Sequence, residues 1–264
     1  MALKQSEAIV LRTYPLRESD LLVTLFTRVE GKVKGVARAA KKSKRRFGGA
    51  LEPLTLVRAY YDEREGQELA RLDSCDILDS PLSQVVDYPR VAALEHVAEL
   101  LDELLPDREA NDAIFRLAQS VLRCLRTGPI WMPLTYFQLW LVRLVGFLPE
   151  MSECVVCARV LNGDRAFYHA LADGLTCVQH KRLASAELTT ESRALAARMF
   201  RAPVESFATP ESGNGPRGDE EVSHPTKRRL DGAPANADLR KFLVRIVERH
   251  IEKKLVTASV LERL

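Results

Sequence analysis

Three cysteines and one histidine restrict the fold of this chain more than any other feature. Cys154 and Cys157 form a C-x2-C pair, nineteen residues follow, and Cys177 and His180 close the pattern as C-x2-H. Each pair fits a tight turn that points both ligand atoms the same way, so two such knuckles can converge on one tetrahedral zinc ion. With all four positions filled by protein, no coordination site stays open for water or substrate, and the ion would hold the fold together rather than do chemistry. Cys75 and Cys124 lie outside the pattern and read as small buried side chains.

Between the knuckles, Asn162-Gly163-Asp164 and Asp173-Gly174 are turn signals flanking the strand-like Ala166-Phe167-Tyr168. That is how a zinc ribbon is built. Three thiolates around a divalent ion leave a formal charge of about −1, which Arg159, Lys181 and Arg182 would offset. Five cysteines, an odd number, in metal-type spacing predict a reducing cytoplasm rather than a disulfide scaffold. Met1 to Glu7 lacks a basic-then-apolar leader, and the longest apolar stretch, Leu134 to Leu148, is broken by Gln138 and Arg143, so no membrane span is expected.

Upstream, the hydrophobic pattern changes once. Residues 5 to 79 read as short strands at Ala8–Leu11, Leu21–Phe26, Lys32–Val36, Leu54–Tyr61 and Glu68–Ile77. Turn signals separate them at Arg17–Asp20, Glu30-Gly31, Gly48-Gly49 and Glu65-Gly66. Five strands in that length suit a small five-stranded barrel of OB type, with an SH3-like barrel fitting nearly as well. After Pro81 the period becomes helical. Leu94, Val97, Leu101 and Leu105 mark one helix, Ile114, Leu117, Val121 and Leu125 a second, and Pro133 to Gly146 a third. Further helices are expected at Thr190–Phe200 and through Leu239, Phe242, Ile246 and Ile251. His96 and Cys124 read as structural, and the acids Asp102 and Glu103 as a solvated helix face.

Net charge is only +3, so distribution says more than the total. Lys32, Lys34, Arg38, Lys41, Lys42, Lys44, Arg45 and Arg46 form a run with no acid inside it, which reads as a flexible loop able to neutralise several phosphates without reading bases. Tyr14, Phe26, Phe47, Tyr60 and Tyr61 are candidate stacking aromatics, most of them expected inside a small barrel. The last long helix carries Arg240, Lys241, Arg245, Arg249, Lys253 and Lys254, either a solvated face or a second phosphate-facing one. Residues 208–236 are rich in Pro, Gly, Ser and charge and predict a disordered insert. Their GxGxxG, Gly213 to Gly218, has no preceding strand and contains Pro216, so it is no dinucleotide site. Walker A, HExxH and Gly-x-Ser-x-Gly motifs are absent, and no zinc-deaminase Glu stands beside His180. The chain therefore reads as a non-enzyme.

These features assemble into an α+β chain. An OB-fold nucleic-acid-binding domain is expected over residues 1–80. A helical domain over 81–264 would contain the zinc-binding segment 150–184 and the insert 208–236. The order of short motifs resembles the bacterial recombination mediator family RecO: Glu7-Ala8-Ile9-Val10-Leu11-Arg12 leading to Glu18-Ser19-Asp20, Gly31-Lys32 and Gly35-Val36-Ala37-Arg38, then Leu144 to Pro149 just before Cys154, and His250 to Leu255 with Ser259. The resemblance implies a DNA-repair protein, associated with the nucleoid, that binds single- and double-stranded DNA and anneals complementary strands. It further implies binding to the C-terminal tail of single-stranded-DNA-binding protein, and work with RecR to load the recombinase RecA. Family members that hold zinc commonly use four cysteines; here His180 takes the fourth place. The competing reading is a zinc-ribbon adaptor of transcription or translation that binds protein and carries an incidental basic loop. A metal-dependent nuclease is a third class.

Overall fold

A computed structural model describes residues 3–63, 66–81, 87–169, 172–208 and 234–264. The five expected strands are β1 (Lys4–Pro15), β2 (Leu21–Thr27), β3 (Gly31–Ala37), β4 (Leu56–Asp62) and β5 (Ala70–Asp79). They close into a barrel in the order β1-β2-β3-β5-β4, with β1 returning to pair with β4. Every pairing is antiparallel except β3 with β5. Closure with that order is the OB arrangement and decides against the SH3-like alternative.

The run Ala8-Ile9-Val10-Leu11 contains no polar residue because β1 is buried on both faces. Ala8 and Val10 point into the barrel with Val23, Leu25, Val57 and Tyr61. Ile9 and Leu11, joined by Phe26 and Leu54, belong instead to the core of the helical region. The barrel is thus glued to the helices through the outer side of β1 and β2, and Phe26 meets Phe115 at 5.4 Å between ring centroids. Gly31 ends the β2–β3 turn at φ +70°, where a Cβ would collide with the backbone of Glu109. The close approach and the left-handed conformation both require glycine.

The helical region comprises α2 (Tyr88–Leu104), α3 (Asp112–Cys124), α4 (Trp131–Leu144), α5 (Thr190–Met199), α6 (Pro234–His250) and α7 (Val256–Leu261), after a one-turn α1 (Lys44–Phe47) between β3 and β4. Side chains cap three of them: Asp87 takes the Arg90 N–H at 2.9 Å, Asn111 that of Ile114 at 3.0 Å, and Thr189 that of Ser192 at 3.2 Å. Val97, Leu101, Phe115, Val121, Phe137, Leu141, Leu243 and Val247 fill one core. A two-stranded sheet, β6 (Ala166–Tyr168) with β7 (Ala186–Leu188), lies between α4 and α5, and Leu161, Ala166 and Leu175 join the same core.

The short α7, unexpected from a six-residue pattern, is pinned to α2 by Glu99. This carboxylate accepts the N–H of Val256 at 2.8 Å and of Thr257 at 3.0 Å, and the Thr257 hydroxyl also donates to it. Because that hydroxyl proton is committed, His96 must donate through Nδ1 to Thr257 Oγ1, at 2.6 Å, and accept through Nε2 from Gln138, also at 2.6 Å. His96 is a neutral core residue, as expected.

Several expectations change. The basic segment is not a free loop: it forms a 3-10 turn at Ala40–Lys42 and then α1, because Phe47 is buried in the barrel core and holds it down. Asp102 and Glu103 are not a solvated face. They meet Arg12 at 2.5 and 3.5 Å, and Lys253 reaches Glu103 at 2.6 Å, so the acids line the seam between barrel and helices. Residues 234–236 of the expected insert are the first turn of α6. Residues 209–233, with the GxGxxG, lie outside the described residues, as does Glu65.

Candidate metal centre and nucleic-acid interface

The two knuckles are made by backbone hydrogen bonds. Ala158 N–H returns to Cys154 O at 2.8 Å, with Ala158 in the left-handed region at φ 56°, and Cys154 N–H donates to Arg159 O at 2.8 Å. On the other side Val178–His180 is a 3-10 turn closed by His180 N–H to Cys177 O at 3.0 Å. Val155 N–H to Leu175 O, 2.8 Å, brings the knuckles together, and Phe167 and Thr176 exchange a reciprocal pair of 2.9 and 2.8 Å.

All four ligand atoms lie within 4.8 Å of one another. His180 Nδ1 is 3.7 Å from Cys154 Sγ and 3.3 Å from Cys177 Sγ. A tetrahedron with ordinary zinc–sulfur and zinc–nitrogen bonds has S···N edges of about 3.5 Å, so the donor set fits the ion. The Cys154 thiol is brought down to about 6: burial pushes it up, but N–H groups of Cys177, Val156 and Cys157 donate to its sulfur and favour the thiolate a metal needs. Cys154 and Cys177 are buried while Cys157 is exposed. The cluster can hold a metal ion, and it sits at the edge of the helical core, where it ties a segment with little regular structure.

The eight cations of the basic run separate into three groups. Lys32 is buried; its Nζ donates to Asp102 O at 2.6 Å and pairs with Asp107 at 3.3 Å, while Lys34 meets Asp107 at 3.0 Å. Both are drawn into the seam. Arg46 donates to Arg38 O at 2.7 Å and Ser43 Oγ at 3.1 Å and lies over Phe47 at 5.0 Å, so it braces its own turn. Arg38, Lys41, Lys42, Lys44 and Arg45 are exposed, with no ion pair among the described residues. Their backbone is fixed on the barrel by Lys41 N–H to Ser19 O, 3.2 Å, and Ala39 N–H to Asp20 Oδ1, 2.8 Å.

Two further cations fall outside the run. Arg17, in the β1–β2 connection, and Arg71, opposite Val36 on β5, are exposed and lack ion pairs among the described residues. The β2–β3 face and the β1–β2 loop are where OB barrels take their ligands. Only strand order places Arg71 there, so the sequence pattern gave no signal for it; Arg17 adjoins the Glu18-Ser19-Asp20 motif. Among the aromatics, Phe26, Phe47 and Tyr61 are buried, Tyr60 is half-buried and Tyr14 is 49 % exposed. On α6 and beyond, Arg249, Lys253 and Lys254 pair with Asp173, Glu103 and Glu248. Arg240 lies over Trp131 at 4.4 Å, and burial lowers its guanidinium to about 10. Lys241 and Arg245 remain without ion pairs among the described residues.

No helix among the described residues is long and apolar enough to cross a membrane. Two family models match: recombination protein O N terminal over residues 1–81 and recombination protein O C terminal over residues 85–214. A DNA repair protein RecO of Koribacter versatilis is 63 % identical over 266 residues, covering 99 % of each chain. One from Anaeromyxobacter dehalogenans is 30 % identical over 257 residues, covering 97 % of this chain and 94 % of the relative. One from Geobacter sulfurreducens is 38 % identical over 179 residues, 65 % of this chain and 70 % of the relative.

Proposed function

Because the chain belongs to the recombination protein O family of DNA repair proteins, we propose that it is a non-enzymatic recombination mediator: it binds single- and double-stranded DNA, anneals complementary strands and helps load recombinase onto coated DNA. The observation that carries this reading is the anchored cationic turn. Arg38, Lys41, Lys42, Lys44 and Arg45 have no internal partner among the described residues, yet their backbone is held on the barrel by Phe47, Ser19 and Asp20. Charge kept unpaired on a fixed frame neutralises phosphates at lower ordering cost than a free loop does. Arg17 and Arg71 extend the surface over the β2–β3 face. Lys32 and Lys34 serve the seam instead and leave the expected contact set.

In this reading Cys154, Cys157, Cys177 and His180 hold one zinc ion. When bound it cross-links the two turns that the Val155–Leu175 hydrogen bond already brings together, and it leaves no open position for chemistry. The C-terminal tail of single-stranded-DNA-binding protein, RecR and RecA are the partners the family reading brings. A nucleoid location follows from the same reading. The decisive test is strand annealing by purified protein on bare DNA and on DNA coated with single-stranded-DNA-binding protein, without ATP. Annealing on both supports the mediator; no annealing and no salt-dependent DNA binding sinks it.

One observation favours the protein-binding adaptor as second reading. Val155, Val156 and Val178 on the knuckles, with Leu183 beyond them, are each more than half exposed, Leu183 at 96 %. An adaptor would keep its partner when the five barrel cations are removed, whereas the mediator would lose annealing.

A further inference from the structure

A cavity of about 230 Å³ opens beside the C-terminal half of α6, between that helix, the end of α4 and the turn before Cys177. It is smaller than the roughly 300 Å³ at which sites for drug-sized ligands begin, so it suits a group no larger than one nucleotide. Its walls are aromatic. Phe147 stacks on His250 with centroids 4.0 Å apart and planes 10° from parallel, and Tyr168 stands edge-on to Phe242 at 5.0 Å. The His250 ring is fixed by its Nδ1–H donating to Ile246 O at 2.8 Å.

Two arginines and, among the described residues, one acid line this cavity. Arg249 is held by Ala172 O and that acid, Asp173, which leaves Arg245 as the unpaired charge. Arg245 lies over the Tyr168 ring at 5.2 Å and has no hydrogen bond or ion pair among the described residues. The ring holds the guanidinium by a cation–π contact, and its N–H groups have no partner among the described residues, so they can receive a phosphate through two parallel bonds. Phe147 covers one face of the exposed His250 ring, and the other face offers a flat surface on which a base can lie.

We propose that this cavity is a second nucleic-acid contact, in which Arg245 receives a backbone phosphate and the Phe147–His250 stack supports the adjoining base. Inorganic phosphate and free nucleotides share that chemistry, and the anion site itself stands without the DNA reading; only its assignment to a strand rests on the proposed function. A protein that anneals must hold two mutually repelling strands, and a contact separate in the chain from the barrel cations supplies a place for the second.

The test uses the full chain, as wild type, Arg245→Ala, Arg245→Lys, Lys241→Ala and the variant with Arg38, Lys41, Lys42, Lys44 and Arg45 all changed to Ala. Inorganic phosphate is titrated by NMR, and a dT12 oligonucleotide by anisotropy across a salt series. Lys241 is an unpaired cation on the same helix that does not line the cavity, so it reports diffuse charge alone. Arg245→Ala is expected to weaken phosphate binding at least tenfold and to lower the log–log salt slope for the oligonucleotide by about 0.7, one lost contact. Arg245→Lys should recover part of each, and the barrel variant should bind phosphate as wild type does. Absence of phosphate binding by wild type, or equal losses in Arg245→Ala and Lys241→Ala, overturns the site. Lost phosphate binding with an unchanged oligonucleotide slope keeps the anion site and overturns its assignment to a strand. Phosphate binding by a wild type that ignores DNA sinks the mediator reading and with it the assignment to a strand, and keeps the anion site.

Discussion

His96 is the residue at which acid should first be felt. It is fully buried, accepts from Gln138, donates to Thr257, and has Glu99 and Arg240 as charged neighbours. Burial lowers its pKa to about 4, from an unfolded value near 6.5. The unfolded chain therefore binds the proton first, and stability falls as pH drops below 6.5 towards 4. From pH 7.5 to pH 5 this one site removes about 2 kcal/mol. Glu99 adds to the same acid limb. Burial works against its charge, but three donors from Thr257 and Val256 hold it below the ordinary carboxylate range, and that stability is lost as it protonates. Urea unfolding of wild type and His96→Gln at the two pH values checks this; the variant, though less stable at neutral pH, should have the shallower dependence. Two other residues admit direct tests. Cys157→Ser should abolish metal content by elemental analysis and lower Tm, since binding and folding of the knuckles are coupled. Gly31→Ala should destabilise by more than about 2 kcal/mol in the same urea experiment, because it combines a positive φ with a collision against Glu109.

The element that best separates charge from shape is the turn between β3 and β4. Its single-sign composition was plain in the sequence, and so was its aromatic end, but a run of lysines and arginines carries no periodicity. That Phe47 points inward and Arg46 folds back over it depends on the barrel wall and has no local signature. Phe47→Ala removes no charge, yet it should cost about 3 kcal/mol or more of stability and also weaken DNA binding, since the five cations would then be ordered only on contact. Changing Arg38, Lys41, Lys42, Lys44 and Arg45 to Ala should instead leave Tm nearly unchanged and flatten the salt slope by up to about 0.7 for each lost contact on single strands. Anisotropy across a salt series, alongside thermal unfolding, distinguishes the two variants. The ribbon was legible for the opposite reason. Ligand spacing is a local quantity, so the convergence of residues 20 to 26 apart followed from the two pairs alone, whereas β7 and α7 are too short for any period to emerge.

At the scale of the molecule, strand content and the change from a two-residue to a helical period were readable, because each reflects which face meets the core. The seam was not. Arg12, Lys32, Lys34, Asp102, Glu103 and Asp107 look like surface charge in sequence, and only the docking of β1, β2 and β3 on α2 and the segment after it pairs them. That docking has a further consequence for how the chain is made. The outer side of the barrel, with Ile9, Leu11 and Phe26, stays wet until α2 and α3 have left the ribosome. Glu99 on α2 in turn awaits donors at Val256 and Thr257, some 157 positions later. The nascent barrel thus has time to close by itself while the helical half stays provisional until Val256 and Thr257 emerge, and contacts of such long range are slow to form. A chain whose synthesis stops short of Leu255 should present a folded barrel on a loosened helical half, vulnerable to proteolysis between them.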